Sequence, residues 1–206
     1  MITSLALQRG TRWLYEDITL QIKPGEIWVL RGANGSGKSS LLRAIAGFLP
    51  LAEGAVSFQG KKLNLQDADC PVRASWYAQQ DGLNGEFTAR QNLTLMAGLA
   101  NKTGDITDIL EKDIFQLSDF LDSQTRHLST GQRQRLALSC LQFNIGAGAF
   151  WLLDEPNSGL DADGRTAFES LLHNHQQAGG YVLMASHIPL SDTLPHRVFD
   201  IGGAAI

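Results

Sequence analysis

The chain has 206 residues, enough for one domain or for one domain with an inserted subdomain. Hydrophobic residues make up 43% and charged residues 18% of it, as in an ordinary globular protein. The 17 Lys and Arg against 21 Asp and Glu give a net charge of −4. This charge argues against a nucleic-acid partner, because a protein that binds nucleic acid needs a basic surface. Cys70 and Cys140 belong to no metal or disulfide motif, which favours a reducing, cytoplasmic setting. No apolar run approaches the roughly 20 residues of a membrane-spanning helix.

Taken in chain order, the first quarter predicts a strand, a loop and a helix. Residues 19–22 alternate in polarity before a Pro-Gly turn, and residues 27–30 form an apolar run typical of a buried strand. A glycine-rich stretch follows, and residues 38–49 then place apolar side chains on one helical stripe. This is the order that a phosphate-binding α/β unit requires.

The rest of the chain predicts more strands around a helical insert. Residues 56–58 and 75–78 read as short strands, residues 92–141 as helical, and residues 150–153 and 181–185 as buried strands. Residues 165–177 predict a mostly polar helix, on which His173 and His175 are interpreted as solvated. The fold class is therefore α/β at both ends, with a helical subdomain inserted at about residues 85–145 of a single domain that spans residues 1–206.

A complete G-x-x-x-x-G-K-[ST] motif follows the first buried strand. Its glycines let backbone N–H groups turn towards phosphate oxygens, and the helix that begins beyond them adds its dipole. The lysine reaches the β- and γ-phosphates, and the first serine of the helix can bind Mg²⁺. A chance match is improbable between a buried strand and an amphipathic helix. We predict that ATP is bound by Gly32, Ala33, Asn34, Gly35, Ser36, Gly37, Lys38, Ser39 and Ser40.

Two carboxylates follow the apolar run 150–153. A strand that ends in acid places these charges at the carboxyl edge of the sheet, where ligands bind. Asp154 suits the Mg²⁺ shell, and Glu155 is a candidate to orient or deprotonate the attacking water. Alone, the pair could be a strand that meets a solvated turn, but a complete phosphate loop elsewhere in the chain favours catalysis.

Leu128-Ser129-Thr130-Gly131-Gln132, followed by an Arg-Gln-Arg helix, resembles the signature of the ABC ATPases, Leu-Ser-Gly-Gly-Gln. A serine and bare N–H groups at a helix start suit an anion. The structural alternative is an ordinary helix start capped by Ser129, which leaves the basic pattern unexplained. Thr130 departs from the usual glycine.

The resemblance implies a P-loop NTPase of the ABC type, with a RecA-like core sheet, an inserted helical subdomain and a small N-terminal antiparallel β region. It further implies a homodimer that closes head to tail over two ATP molecules. Ser129, Thr130, Gly131 and Gln132 of one chain then cover the γ-phosphate held by the other chain.

Three smaller matches fall in the family's order. Gln80 resembles the glutamine that contacts Mg²⁺ or water, with Gln79 as the competing choice. Residues 158–161, which end in Asp161, resemble the loop that couples the two sites across the dimer. His187 resembles the histidine that bonds the γ-phosphate and joins Glu155 and Gln80 as a catalytic candidate, although a lone histidine is more often structural.

The aromatic residue on which the family usually stacks adenine is missing. Arg9 or Gly10 occupies the expected position. Trp13 and Tyr15 are alternatives, and Arg9 could itself stack through its guanidinium plane.

Within the family, the chain most resembles the ATP-binding subunits of bacterial cytochrome c maturation. Residues 9–12, 88–99 and 186–190 carry this likeness. It implies an integral membrane partner, a peripheral position on the cytoplasmic face of the inner membrane, and ATP hydrolysis that drives haem export or release of a haem-loaded chaperone. No direct haem binding is expected. The alternatives are a subunit of another small ABC transporter, a soluble ABC ATPase, a different phosphate-loop enzyme such as a small-molecule kinase, and a non-hydrolysing adaptor.

Overall fold

The computed structural model describes residues 2–9, 12–58, 61–64, 70, 72–78, 82–100 and 104–201, with only the backbone described at residues 9, 12 and 61. Its centre is a five-stranded parallel sheet with the strand order β6-β7-β8-β3-β9. The strands are β3 (Ile27–Arg31), β6 (Arg73–Tyr77), β7 (Ala149–Asp154), β8 (Tyr181–Ala185) and β9 (Arg197–Asp200). Every residue of β7 is buried, as its apolar run predicts.

A second, antiparallel sheet is built mainly from the N-terminal residues, with the order β2-β1-β4-β5. Its strands are β1 (Ile2–Arg9), β2 (Arg12–Leu20), β4 (Glu53–Phe58) and β5 (Lys61–Lys62). This agrees with the N-terminal antiparallel region that the family resemblance implies.

Five α-helices occur in the described part of the chain: α1 (Lys38–Ile45), α2 (Ala89–Leu99), α3 (Thr107–Lys112), α4 (Thr130–Ser139) and α5 (Ala162–Gln177). Three 3₁₀ turns accompany them, at Leu117–Phe120, Thr125–His127 and Cys140–Asn144. The helical stretch between β6 and β7 falls within the predicted insert at about residues 85–145. None of the described helices is both long and apolar enough to span a membrane.

The parallel sheet has a hydrophobic core on each face, because successive side chains of a strand point to opposite sides. One core joins Val29, Trp151 and Met184 to the inserted helices and α5. The other joins Leu30 and Leu152 to α1 and the antiparallel sheet. The sheet therefore holds the loops at its carboxyl edge between two packed layers.

Helix α1 is shorter than predicted. It ends at Ile45, and Gly47 follows with a φ of 82°, a left-handed conformation that stops a helix. Phe48 consequently leaves the predicted apolar stripe and is 54% exposed. Its ring packs edge to face against Trp76, with the two ring centroids 5.4 Å apart.

The prediction that His175 is solvated is wrong. Its side chain is fully buried and stacks on Trp151 with ring centroids 3.7 Å apart. The Gly146 amide donates to Nδ1 at 3.3 Å, so Nε2 carries the proton and faces the Tyr181 carbonyl oxygen at 3.3 Å. Burial lowers the pKa of His175 to about 4. Helical spacing explains the error, because His175 continues the inward stripe of α5 beyond Phe168 and Leu171, whereas His173 is exposed.

Candidate active site

The candidate site lies at the carboxyl edge of the parallel sheet. Residues 32–37 leave β3, Asp154 is the last residue of β7, and His187 lies two residues beyond β8. These three strands are neighbours in the order β7-β8-β3, so the topology brings together residues that are far apart in sequence.

The phosphate loop requires glycine at position 37, immediately before α1. Gly37 has a φ of 96°, and a Cβ atom there would lie 2.5 Å from the Tyr15 hydroxyl oxygen. That hydroxyl donates a hydrogen bond to the Ser36 carbonyl oxygen from below the loop. Burial raises the pKa of Tyr15 to about 12. Tyr15 therefore supports the backbone of the predicted phosphate loop.

Lys38 points its ammonium group back over the loop. Its Nζ donates to the carbonyl oxygens of Gly32 at 2.7 Å and Ala33 at 3.0 Å, and the residue is only 9% exposed. Asn34 and Gly35, at the tip of the loop, are exposed. The ammonium group is thus held where an anion cradled by the loop would meet it.

Ser39 and Asp154 meet at the end of β7. The Ser39 hydroxyl donates a 2.8 Å hydrogen bond to Asp154 Oδ1. The pKa of Asp154 is raised, chiefly by burial and further by the neighbouring Glu155, while the bond from Ser39 and the cations Arg43 and Lys38 act in the opposite direction. A buried carboxylate beside a hydroxyl is the hard oxygen pair that Mg²⁺ prefers, and a cation would favour the ionised carboxylate. These two side chains fit the predicted Mg²⁺ site.

Glu155 adopts a left-handed backbone conformation, with a φ of 53°. Its amide donates to the Ala185 carbonyl oxygen at 2.9 Å, which ties it to the end of β8. Its Oε2 lies 2.7 Å from His187 Nδ1 and accepts a 3.4 Å hydrogen bond from the His187 amide. The structure therefore brings together the predicted catalytic carboxylate and the predicted histidine.

Ser129 caps α4. Its hydroxyl accepts a 3.2 Å hydrogen bond from the Gln132 amide, and the Gln132 side chain accepts one of 2.9 Å from the Ser129 amide. The capping interpretation is therefore correct, and it is compatible with an exposed anion-binding role. Ser129 and Thr130 are exposed, and a Cβ at Gly131 would meet no atom within 4 Å. Within the described part of the chain, no hydrogen bond or ion pair joins residues 129–132 to residues 32–39.

Two contacts tie α4 to the loop after β7. Arg135 Nη2 donates to both carboxylate oxygens of Asp161 at 2.7 Å, and Gln134 Nε2 donates to the Pro156 carbonyl oxygen at 2.8 Å. Asp161 also caps α5 by accepting from the Gly164 amide at 2.8 Å. The hydrogen bonds from Arg135 and Gly164 lower the pKa of Asp161.

Three residues named in the predictions lie outside the described residues. These are Gln80, with its alternative Gln79, and Gly10; Arg9 is described only as backbone at the end of β1. Tyr15 is wrong as a candidate for adenine stacking, because its ring is 1% exposed beneath the phosphate loop. Trp13 is 43% exposed on β2 and remains a candidate.

The ABC transporter family model matches residues 15–158. The chain belongs to this family. A curated relative from Hyphomonas neptunium, the cytochrome c biogenesis ATP-binding export protein CcmA, is 35% identical over 185 residues, 90% of this chain and 88% of the relative. The protein of the same name from Nitrosococcus oceani is 36% identical over 187 residues, 90% of this chain and 84% of the relative.

Solved structures agree on the fold. An ABC transporter ATP-binding protein from Pyrococcus furiosus superposes with a TM-score of 0.81 at 20% identity, covering 100% of this chain and 98% of that one. A dimeric ATP-binding cassette bound to ADP and Pi gives a TM-score of 0.75 at 22% identity, covering 100% of this chain and 95% of that one. The predictions of a P-loop ABC fold, and of likeness to the cytochrome c biogenesis subunits of this family, are confirmed.

Proposed function

We propose that this ABC protein hydrolyses ATP as the energy-supplying subunit of an exporter in cytochrome c biogenesis, with two copies closing over two nucleotides. The observation that carries the proposal is the 2.8 Å hydrogen bond from Ser39 to Asp154, which supports an Mg²⁺ site at the foot of the phosphate loop. The curated relatives are named for ATP binding and for this pathway.

Nucleotide binding uses the loop and the first turn of α1. The phosphates are bound by the N–H groups of residues 32–40 and by the α1 dipole. When they bind, the Lys38 ammonium group gives up its hydrogen bonds to the carbonyl oxygens of Gly32 and Ala33 and donates to phosphate oxygens instead. Ser39, Asp154 and Gln80 would hold Mg²⁺, which offsets phosphate charge. The Asp154 carboxylate is already aligned by the Ser39 hydroxyl.

Hydrolysis requires a water aimed at the γ-phosphate. Glu155 accepts a hydrogen bond from this water and takes its proton as the water oxygen bonds to phosphorus and the bond to the ADP oxygen breaks. His187 positions the Glu155 carboxylate through the 2.7 Å contact and reaches the γ-phosphate with the rest of its ring. ADP and phosphate are the products.

The second half of each site comes from the partner chain. Ser129, Thr130, Gly131 and Gln132 form an open helix start that makes no bond to its own phosphate loop in the described part of the chain. A helix start of this kind favours an anion, which here is the γ-phosphate bound by the other chain. Asp161, held by Arg135, lies on the segment that would run along the dimer interface.

We further propose that the exposed apolar side of α2 receives the membrane subunit. Leu95 and Leu99 are 44% and 70% exposed and border a groove with Phe87 and Arg90. Leu95 and Leu99 are four residues apart and therefore neighbours on the helix surface, and contiguous exposed apolar patches mark interaction sites. This contact would hold the chain peripherally at the cytoplasmic face of the inner membrane, and we expect no haem contact and no nucleic-acid contact from the chain itself.

Mixing two inactive variants tests the composite site. Lys38→Ala removes the phosphate-binding ammonium group, and Ser129→Arg blocks the helix start, so neither variant alone should hydrolyse ATP. In a mixed dimer, the loop of the Ser129→Arg chain meets the intact Ser129 of the other chain, and part of the wild-type rate should return. A mixture as inactive as its components would refute the head-to-tail arrangement.

The pathway needs its own test. In cells that lack the chain, the wild-type gene should restore covalent haem attachment to c-type cytochromes, and Leu95→Glu should not, although its ATPase rate in solution stays near wild type. If neither the wild-type gene nor the Leu95→Glu gene restores haem attachment, the assignment to cytochrome c biogenesis fails, and the proposed ATPase activity is unaffected by that result.

A further inference from the structure

Asn92 is a buried polar hub on the inner face of α2 and is 2% exposed. Its Oδ1 accepts a 2.9 Å hydrogen bond from the Asn84 amide, and its Nδ2 donates to the carbonyl oxygens of Asn84 and Thr88 at 3.0 and 3.2 Å. Nδ2 also lies 2.9 Å from Oγ1 of Thr125, which is fully buried. Each lost partner would leave a desolvated polar group, so this network fixes its members strongly.

The hub joins two segments that are distant in sequence. We name residues 82–88 the entry loop, since they lead into α2, and residues 125–128 the pre-signature turn. The Thr125 amide donates to the Phe87 carbonyl oxygen at 2.8 Å, and the Arg126 amide donates to that of Gly85 at 3.0 Å. These two backbone hydrogen bonds hold the two segments against each other.

The pre-signature turn ends directly before Ser129. The Leu128 amide donates to the Thr125 carbonyl oxygen at 3.2 Å, and Leu128 is itself buried. Only one peptide bond then separates this fixed turn from Ser129, which starts α4. The position of Ser129 is set by the turn before it as well as by its own cap.

Surface ion pairs also join these regions, but they are weaker candidates. Arg126 pairs with Glu86 at 2.7 Å and Arg90 with Asp122 at 2.9 Å, with side chains between 45% and 79% exposed. Exposed pairs contribute little because water and salt screen them. The hydrogen bond between Asn92 and Thr125 is buried, so water has no access to replace it if it is lost.

We infer that Asn92 and Thr125 are positioning residues that hold Ser129 ready for the nucleotide of the partner chain. The inference rests on the proposed function, in which residues 129–132 complete the other chain's site. Within the described part of the chain, the hydrogen bonds of Asn92 and Thr125 go to neither the phosphate loop nor Asp154. We therefore expect the two residues to act on the nucleotide site of the partner chain and to leave the site of their own chain unaffected. Leu95 and Leu99 lie three and seven residues beyond Asn92 on the same helix and are exposed, so the hub also connects that surface to Ser129.

Thr125→Val is the informative change, because Asn92→Leu would remove the whole hub and could prevent folding. Valine keeps the shape and removes the acceptor, and Nδ2 retains the two carbonyl oxygens of Asn84 and Thr88. Thr125→Ser keeps the hydroxyl and serves as the matched control. We expect the amides of Gln132 and Arg133 to exchange about five-fold faster in the Thr125→Val monomer, as for the loss of one hydrogen bond. The Leu41 amide in α1 should be unchanged in both variants.

A directional mixing experiment then separates positioning from general destabilisation. Thr125→Val is added either to the Lys38→Ala chain, which supplies Ser129 to the restored site, or to the Ser129→Arg chain, which supplies the phosphate loop. The first placement should lower the recovered ATPase rate about five-fold, and the second should leave it unchanged. ADP binding by each single chain should not change.

The outcomes are distinguishable. Equal losses from both placements, or no loss from either, would overturn the positioning role while leaving the composite site established. If the parent mixture recovers no activity, the composite site fails, and the monomer exchange rates still decide whether the hub orders the start of α4. Unchanged exchange at Gln132 in Thr125→Val would overturn the inference on its own.

Discussion

The Glu155 carboxylate and the His187 ring meet at 2.7 Å across two neighbouring strands, β7 and β8. Each residue lies just past the carboxyl end of its strand, and the Glu155 amide is bonded to the last residue of β8. The carboxylate that we propose as catalytic is thus held through both its backbone and its side chain. Such support leaves it one defined direction in which to accept a proton.

Replacing Glu155 with Gln should abolish turnover and preserve ATP binding. The amide keeps the size and the contact with His187 but cannot take a proton, so the hydrolysis rate should fall at least about 100-fold. ATP should then hold the chains together as a dimer, which sedimentation would detect. A Glu155→Gln protein that hydrolyses ATP at the wild-type rate would remove Glu155 as the catalytic group.

The left-handed conformation of Glu155 predicts that activity and stability conflict at this position. Side chains with a Cβ atom are strained at a φ of 53°, and glycine is not. The free energy of unfolding of Glu155→Gly should therefore be about 1 kcal/mol higher than that of Glu155→Ala, although we expect both variants to be inactive. Denaturant titration of the two variants measures the difference. Equal stabilities would show that the backbone at residue 155 is relaxed.

The sequence predicted the residues with local signals, and it missed those whose role depends on distant packing. The spacing of the glycines and the lysine identifies the motif around Lys38. The change from apolar to charged residues identifies the carboxylates at the end of β7. Asn92 follows Gln91 in a polar pair whose residue types indicate no particular chemistry, and only the fold places Asn92 beside Thr125. Tyr15 shows the same limit, because its position below the phosphate loop depends on the pairing of β1 with β2.

Tyr15→Phe and Trp13→Ala should separate support of the phosphate loop from contact with the base. Tyr15→Phe removes the donor to the Ser36 carbonyl oxygen and should lower the free energy of unfolding by about 1 kcal/mol. It should weaken ATP and GTP binding by the same factor, since the buried ring cannot touch the base. If Trp13 stacks on adenine, Trp13→Ala should weaken ATP binding with little loss of stability. A change in the ATP-to-GTP affinity ratio in Tyr15→Phe would contradict this assignment.

His175 should make the protein sensitive to acid. Its pKa of about 4 in the folded chain lies below the ordinary value of 6.5, so the unfolded chain binds a proton that the folded chain excludes. The stability from this group is complete above about pH 6.5 and is lost as the pH falls towards about 4. Between about pH 7.5 and pH 5 we expect a loss of about 2 kcal/mol from this residue.

Two glutamine variants isolate the contribution of His175 from that of the carboxylates. His175→Gln cannot be protonated, and its amide N–H can still face the Tyr181 carbonyl oxygen, so its stability should fall less steeply on acidification than that of the wild type. His173→Gln, on the exposed face of the same helix, should keep the wild-type slope. Denaturant unfolding of the three proteins at about pH 7.5 and about pH 5 makes the comparison. If His175→Gln keeps the full wild-type slope, the buried imidazole is not the group that the folded chain keeps neutral.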